Sequence, residues 1–591
     1  MNVRKACCLV VSGLLLFSDP LGVRAQEAKS SFGEVFDVRV TNVDVHVTDS
    51  KGNPISGLAK ADFEIYEDGK KQAITNFYEM TVAGTTTAAG APSGGQFTAS
   101  STNVVAPTAR KYILYVDNGT LSLKNRDDIF AGITDFMQKN LLPGDQVMIV
   151  NWNGELHVRL PWSDDRMAIE STLKTLSGEL GSSTQLQAEK LRAIRLLRQM
   201  ESESRSGTSM TTYDMVESAA RSYAESVRHD IGQSVGAMTK LLSSLAGVEG
   251  KKVLIMATEA LPTQAGAEMF QALQNIRTRS ALDSGMSQTT AQQEPGGGLM
   301  APLPGVSVSQ GSKSATAVAD LGKYNVTPMI EGLARAANAT GVTVYAINPK
   351  GMSGNAAGNT DRQESSEAEV DFAESAQILD GVNLLTKRTG GVATIGATAA
   401  VALATLTRDL GSYYSIGYRS GPGKSPERKI EVRVKRPGAT ARYRGNIYYR
   451  SLQTEMADRV IANHLQSQLS NNLGISLQTE AVKTENAQAL MPMMVIIPAD
   501  SLTLVPDAQG NVSGGFSVFT SSGDADGNAG GVNVQSQEIH WPAAQAAQMK
   551  GRRIGFAVKV PMDKNPKQIS VGVVDHLSQV DGFATIKLAA K

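Results

Sequence analysis

The chain has almost no cysteine, because Cys7 and Cys8 are its only two in 591 residues. Both lie near the amino terminus, in a segment that we expect to be removed on export. The mature chain then has neither a disulfide nor a thiolate that acts as a nucleophile or binds zinc. The sequence therefore excludes cysteine-dependent chemistry.

An excess of charge of either sign is also lacking, since 57 Lys and Arg residues balance 57 Asp and Glu residues. Proteins that bind nucleic acid or anionic membranes usually carry a basic surface, so we predict neither kind of partner. A composition that is 41% hydrophobic and 19% charged is typical of a folded protein. The length exceeds what one hydrophobic core of ~250–300 residues holds, so we expect several domains.

Long apolar runs are missing beyond the first residues, and none reaches the ~18 residues of a membrane-spanning helix. The amino terminus has Arg4 and Lys5, an apolar run over Ala6–Phe17 and a small-residue pattern that ends at Ala25. This order is typical of a secretory signal peptide over residues 1–25, whereas a buried helix is the alternative. We expect cleavage after Ala25 and a periplasmic or secreted protein without a transmembrane segment.

Two β-rich regions are predicted at the ends of the chain. Alternating apolar and polar residues over 35–80 indicate a small β domain, which can pair with strands expected over 411–450. Residues 82–108, rich in Gly, Ala, Ser and Thr, are predicted to be a linker. A helix is expected over 452–475, followed by a second β-sandwich over 490–591.

Between these regions, short buried runs alternate with helical segments over residues 110–410. This alternation is typical of a doubly wound α/β domain with a parallel sheet covered on both faces. Residues 166–245 predict a helical hairpin beside the sheet, and residues 280–317 predict a mobile loop. The predicted fold is therefore multidomain, with a central doubly wound α/β domain flanked by small β-sandwich domains.

Three stretches together resemble a known family. They are Val43–Phe77 with Asp-Phe-Glu-Ile-Tyr-Glu-Asp-Gly, Tyr112–Trp162 with Leu-Pro-Gly-Asp-Gln-Val, and Thr386–Tyr449 with Tyr-Tyr-x-Ile-Gly-Tyr. As a set they resemble bacterial proteins related to von Willebrand factor type A (VWA) domains, in which a short β domain precedes the VWA-like domain. The resemblance covers about Val35–Arg450 and implies a VWA-like, Rossmann-like central domain.

The resemblance also implies a place for a divalent cation. VWA domains commonly hold one through Asp-x-Ser-x-Ser after the first strand, a later Thr and an Asp after a further strand. In this chain Asp117 matches the first acid, but Gly119 and Leu121 stand at the two serine positions. Thr120 and Ser122 can replace those serines only if the loop is shifted by one residue.

The other two ligand positions are also altered. Thr184 is a possible match for the later Thr, and Thr258-Glu259 stands where Asp-Gly is usual. The resemblance thus implies a degenerate Mg²⁺ site with Asp117, Ser122 and Thr184 as candidate ligands. The alternative needs no cofactor: Asp117 caps the following helix and Ser122 belongs to its first turn.

We predict a non-catalytic binding function for the central domain. Ligands of open α/β sheets bind outside the carboxyl ends of the strands, which here places Asp117, Asn118 and Trp152 at the partner-binding edge. The expected partner is an unidentified protein or a cell-surface polymer.

Two other functions remain open from the sequence. A hydrolase requires Asp117, Glu259 and Asp409 to converge in one pocket. A structural envelope component would use the Tyr413-Tyr414 and Tyr448-Tyr449 pairs at domain contacts.

Motifs for other chemistry are not found in the sequence. It contains no Gly-x-Ser-x-Gly elbow on a strand-to-helix turn and no His-x-x-x-His pair for zinc. Residues 524–528 resemble part of a calcium loop but lack its later bidentate Glu. His46 is predicted to be a surface residue on the polar face of its strand.

Overall fold

The structure of the chain is a computed structural model. Three predicted segments lie outside the residues that it describes: the linker 82–108, the loop 280–317 and most of the motif at 524–528. The signal peptide also lies outside them, except for Leu14–Leu15. The described residues are 14–15, 40–81, 109–179, 184–206, 213–259, 261–276, 322–349, 366–420, 425–465, 470–485, 488–524, 529–562 and 566–588.

The elements follow one another in three groups. The first group holds β1 Leu14–Leu15, β2 Val40–Thr48, β3 Phe63–Glu67, β4 Lys70–Gln72 and β5 Ile74–Thr81. The second holds β6 Arg110–Asp117, α1 Leu123–Asn140, β7 Gln146–Trp152, β8 Leu156–Ser163, α2 Arg166–Ser177, α3 Thr184–Ser206, α4 Tyr213–Ser244, β9 Lys251–Ala257, α5 at 267–276, α6 Thr327–Thr340, β10 Val342–Asn348, α7 Ser366–Thr389, β11 Ala393–Ile395 and α8 Ala399–Gly411.

The third group leads to the carboxyl terminus. It holds β12 Ser412–Arg419, β13 Glu427–Val434, β14 Thr440–Tyr443, β15 Asn446–Tyr448, α9 Leu452–Ala462, β16 Ser476–Thr479, β17 Lys483–Glu485, β18 Gln488–Pro498, β19 Val505–Pro506, β20 Val512–Gly523, β21 Asn533–Trp541, α10 Ala543–Met549, β22 Arg553–Pro561, β23 Gln568–Asp575 and β24 Asp581–Lys587.

The central sheet has the order β11-β10-β9-β6-β7-β8, in which every neighbouring pair is parallel except β7 and β8. Counted within the domain this is 3-2-1-4-5-6, the order of doubly wound sheets. The central strands are buried on both faces, because separate hydrophobic clusters cover each side. A parallel-sheet α/β domain is therefore confirmed, although the antiparallel edge strand β8 was not predicted.

The region 166–245 differs from the predicted single hairpin. Helices α3 and α4 pack against each other on one face of the sheet. Helix α2, in contrast, buries Ile169, Leu173 and Leu176 on the opposite face. The helical periodicity indicated a helical region but not the end of α2 at Ser177, and it does not specify which face of the sheet each helix covers.

Two segments far apart in the chain build the amino-terminal β-sandwich. One of its sheets is β14-β2-β12-β5 and the other is β15-β13-β3-β4. The strands at 40–81 therefore pair with those at 412–448, and the α/β domain is an insertion between them.

The prediction for His46 is wrong, since only 4% of this residue is exposed. Its ring lies 5.6 Å from that of Tyr413 and its Nδ1 lies 3.4 Å from Asp409 Oδ1. The alternation along β2 places His46 opposite the core of the sandwich, as expected. That second face is covered by the α/β domain, which alternation alone cannot reveal.

The carboxyl-terminal tail forms a second sandwich. Its sheets are β1-β22-β18-β16, with β17 on β18, and β19-β20-β23-β24, with β21 on β20. The helix expected over 452–475 is shorter than predicted, because α9 ends at Ala462 while Leu473 and Ile475 join the sandwich core. Within the described part of the chain, no helix combines the length and apolarity needed to cross a membrane.

Candidate functional site at the carboxyl edge of the central sheet

Asp117 ends the central strand β6 and is only 5% exposed. Because β6 runs parallel to β9 with Val116 opposite Ala257, the residues that follow these strands meet. Thr258 Oγ1 donates a hydrogen bond to Asp117 Oδ2 at 2.8 Å, whereas Asp117 Oδ1 has no hydrogen-bond partner among the described residues. Burial raises the pKa of Asp117 to about 6, although hydroxyl donors oppose the shift.

Two hydroxyls of the following loop reach the same edge. Ser122 Oγ donates to Glu259 Oε1 at 2.9 Å, and Thr120 Oγ1 lies 3.3 Å from Thr258 Oγ1. Asn125 Nδ2 donates to the same Glu259 oxygen at 2.9 Å. The edge therefore gathers two carboxylates and three hydroxyls within one set of hydrogen bonds.

The two altered serine positions have a structural explanation. Leu121 packs into the core beneath the sheet. A Cβ at Gly119 would lie 3.3 Å from Asp117 Oδ1 and 3.5 Å from Trp152 Cδ1, so the backbone passes close to both. Thr120 and Ser122 are thus the residues whose hydroxyls lie beside Thr258 and Glu259, which is the placement that a one-residue shift requires.

The helix-capping interpretation of this loop is correct for the place of Ser122 and wrong for Asp117. Ser122 is the N-cap residue of α1, although its side chain makes no capping hydrogen bond. The Asp117 carboxylate bonds to Thr258 rather than to the helix. Both side chains are directed toward the segment that follows β9.

Asn118 and Trp152, the other two residues predicted to contact a partner, are buried, with exposures of 1% and 3%. Asn118 Oδ1 accepts a hydrogen bond from Arg126 Nη1 at 3.0 Å. Arg126 in turn donates to the carbonyl oxygens of Leu176 and Ser177 at the end of α2. Through Arg126, Asn118 therefore holds the loop after β6 against the end of α2.

The remaining predicted ligand, Thr184, is the first residue of α3, and its side chain lies outside those that the structure describes. Sequence reasoning missed Asn125 and Arg126 as parts of the edge. Their only signal was their place in the first turn of the helix after Asp117. Thr258 already stood at a ligand position in the resemblance, and the pairing of β6 with β9 brings its hydroxyl beside Asp117.

Asp409 does not join Asp117 and Glu259. It accepts hydrogen bonds from the Tyr345 hydroxyl and from Arg442, beside His46. These partners lie near Lys251, at the start of β9 and hence at the amino end of the sheet. The two ends of β6 are seven residues apart, or ~20 Å at ~3.3 Å per residue. The convergence of all three acids in one pocket is therefore not met, because only Asp117 and Glu259 share an edge.

The amino end forms its own charged cluster, in which His46 and Asp409 are buried and Asp44 is half-exposed. Lys251 Nζ lies 3.1 Å from Asp44 Oδ2 and 3.3 Å from the centre of the Tyr413 ring. Burial lowers the pKa of His46 to about 4, against the opposing effect of Asp409. Tyr413 thus lies at a domain contact, which is the place that the structural-component alternative gave it. Tyr414 belongs instead to the core of the amino-terminal sandwich.

The donor set at the carboxyl edge consists of hard oxygens, which suit Mg²⁺ or Ca²⁺ rather than a softer metal. Across the described ranges, no group of three or more His, Cys, Asp or Glu side chains is arranged to hold a metal ion. A cation here would thus depend on Asp117 and Glu259 with hydroxyl or water ligands. The unpartnered Asp117 Oδ1 is the atom best suited to it.

Neither a family model nor a curated protein matches the sequence. Among solved structures, an aerotolerance-related membrane protein from Bacteroides fragilis aligns at 10% identity over 51% of this chain and 98% of its own, with a TM-score of 0.22. The vWF domain of the type V pili tip protein Mfa5 from Porphyromonas gingivalis aligns at 10% identity over 52% and 96%, with a TM-score of 0.21.

A third solved structure covers more of the chain. The pilus adhesin SpaC from Lactobacillus rhamnosus GG aligns at 11% identity over 92% of this chain and 57% of its own, with a TM-score of 0.24. The strand order places the central domain in the doubly wound class. The chain is similar to bacterial proteins with a von Willebrand factor type A domain.

Proposed function

We propose that this chain is an exported, non-catalytic binding module that docks a protein or surface polymer at the carboxyl edge of its central sheet. Export is supported by the order of charged, apolar and small residues over 1–25. Docking at this edge is supported by the strand order, since ligands of doubly wound sheets bind outside the carboxyl ends of the strands.

The observation that carries the proposal is the unpartnered Oδ1 of Asp117. A buried carboxylate oxygen without a hydrogen bond costs free energy, so the fold retains it at some expense to stability. Two residues separate Asp117 from Thr120, whose hydroxyl lies at the same edge, and Glu259 faces Ser122 there. Such a site gains stability when a cation or a donor from a partner reaches the free oxygen.

In the proposed arrangement Mg²⁺ is held by Asp117 and Glu259 together with the Ser122 hydroxyl. Thr120 and Thr258 hold the surrounding hydrogen bonds, and a partner oxygen completes the coordination. The chain's own residues orient the ion and exclude water from one side, because Asn118 and Trp152 are buried beneath them.

Isothermal titration calorimetry of the mature chain with Mg²⁺, Mn²⁺ and Ca²⁺ tests this arrangement. Micromolar binding that disappears in Asp117→Ala is the expected result. The matched control is Asp165→Ala, an acid that caps α2 through Met167 N and Ala168 N, and it should retain cation binding. Absence of binding in the parent chain, or equal binding by both variants, would overturn the cation-dependent arrangement.

A further inference from the structure

A cleft of about 910 Å³ opens next to the carboxyl edge. Its walls come from the β7–β8 hairpin, the second half of α4 and α9, with Ala529 of the carboxyl-terminal sandwich at one side. Binding clefts in proteins commonly measure ~300–1,000 Å³, so this one is large enough for a ligand of substantial size. Trp152, whose strand position is opposite Asp117, also lines the cleft, which makes the two sites continuous.

The walls of the cleft are apolar in part. Leu156 and Val158 on β8 and Ile461 on α9 are half-buried, so part of each aliphatic side chain remains uncovered. Helix α4 presents Gly232 and Gly236 one turn apart on the same side. A Cβ at Gly236 would meet no atom within 4 Å, so the helix surface there faces open space.

The cleft is held open by a close contact at one end. A Cβ at Gly247 would overlap the Arg459 backbone, so the turn after α4 packs directly on the backbone of α9. Arg459 also forms ion pairs with Glu249, at 2.9 Å, and with Asp581. These contacts fix the two helical walls relative to each other, and a preformed cleft lowers the entropic cost of binding.

The rim carries one unpaired charge of each sign among its described residues. Lys240 on α4 and Glu155 on the hairpin are both exposed, and neither forms an ion pair with another described residue. Asp458, also on the rim, is paired with Arg450. Strand β8 is the last strand of the central sheet, and its outer edge pairs with no other strand in the described ranges. Such an edge offers backbone hydrogen-bonding groups to an extended chain.

We propose that this cleft binds an extended polypeptide segment of the docking partner. The segment places aliphatic side chains against Leu156, Val158 and Ile461, an acidic residue toward Lys240 and a basic residue toward Glu155. This inference rests on the proposed function, since it assigns a peptide-binding part to the same docking edge. A polypeptide is the ligand that can pack aliphatic side chains on the walls, pair with both charges and form backbone hydrogen bonds with the free strand edge.

Short random peptides displayed on phage provide the probe, selected on the immobilised mature chain. We expect the selected peptides to alternate aliphatic with polar residues and to contain both an acidic and a basic residue. Their affinities are then measured by fluorescence anisotropy with synthetic labelled copies. Gly236→Leu should weaken binding at least about tenfold, because the new side chain occupies the cleft.

The matched control is Gly332→Leu, which introduces the same side chain in α6, where a Cβ meets only the Arg335 side chain at 3.7 Å. It should leave the affinity unchanged. Lys240→Glu should weaken binding of the parent peptide, and reversing the acidic residue of that peptide should restore it. Failure to select any peptide, or equal binding to both leucine variants, would overturn the cleft proposal.

The Asp117→Ala variant separates the two proposals. Peptide binding that survives in this variant and in EDTA, but is lost in Gly236→Leu, supports the cleft even if calorimetry finds no cation. Conversely, cation binding without peptide binding leaves the edge proposal standing and removes this one.

Discussion

The acids at the two ends of the central sheet differ in their partners. At the amino end, Asp44 pairs with Lys251, and Asp409 pairs with Arg442 beside His46. At the carboxyl end, Asp117 is 5% exposed, close to the 8% of Asp409, but it has no cation within ion-pairing distance among the described residues, and one of its oxygens is unpartnered. The first end joins two domains, whereas the second keeps a charged group available, which is the arrangement expected of a binding edge.

The largest expected effect is at the amino end. Asp409→Asn should lower the free energy of unfolding by about 4 kcal/mol, because it leaves Arg442 without its partner inside a domain contact. Urea unfolding followed by circular dichroism measures the change. Glu431→Gln, which removes the partner of Arg433 in an exposed pair, is the control and should change stability little. A loss below ~1 kcal/mol for Asp409→Asn would mean that this cluster does not hold the domains together.

A second prediction concerns the pH dependence of His46. The pKa of His46 is about 4 in the folded chain and 6.5 when unfolded, so its contribution to stability is complete above pH 6.5 and is lost as pH falls toward 4. The loss over that window is about 3 kcal/mol. His46→Gln should flatten this part of the stability profile in urea melts at several pH values, while His540→Gln, at an exposed site, should not. Identical slopes for the parent and His46→Gln would contradict the effect.

Asp117 should show the opposite dependence. Its folded pKa of about 6 exceeds the unfolded value of 3.8, so its contribution is complete below pH 3.8 and is lost as pH rises through 6. In EDTA at pH 7.5, Asp117→Asn should therefore be more stable than the parent by about 3 kcal/mol. Thermal melts in EDTA and in excess Mg²⁺ provide the measurement, since the cation should stabilise only the parent. A less stable Asn variant in EDTA would show that the charged carboxylate has a partner.

The smallest effect is expected from restoring one serine of the cation motif. Gly119→Ser should cost less than ~1 kcal/mol, because its Cβ fits 3.3 Å from Asp117 Oδ1 with a small adjustment. It should tighten Mg²⁺ binding several-fold by adding a hydroxyl ligand, as measured by calorimetry. Gly531→Ser, where a Cβ meets nothing within 4 Å, is the control. Weaker binding would place the cation elsewhere along the edge.

Much of the fold was predictable because its strands have unambiguous patterns. The continuous apolar run of β6 predicted a strand buried on both faces, and the alternation along β2 predicted a half-buried one. The antiparallel strand β8 was missed although Leu156, Val158 and Leu160 alternate there. The end of α9 was misplaced because Leu473 and Ile475 continue an apolar pattern into the sandwich core.

At the candidate site, the sequence identified Asp117 and the need for a one-residue shift toward Thr120 and Ser122. It could not predict that Asn118 and Trp152 are buried, since exposure depends on what packs over an edge. The cleft beside Trp152 was also beyond the sequence, because its walls come from segments some 300 residues apart in the chain.

The sequence by itself determined the elements of this protein, because hydrophobic periodicity and turn residues act locally along the chain. It also determined which acid ends the central strand. Only the tertiary structure decided which charges acquire partners. That outcome depends on the register between β6 and β9 and on the domain packed against β2, and both are set by contacts between residues distant in sequence.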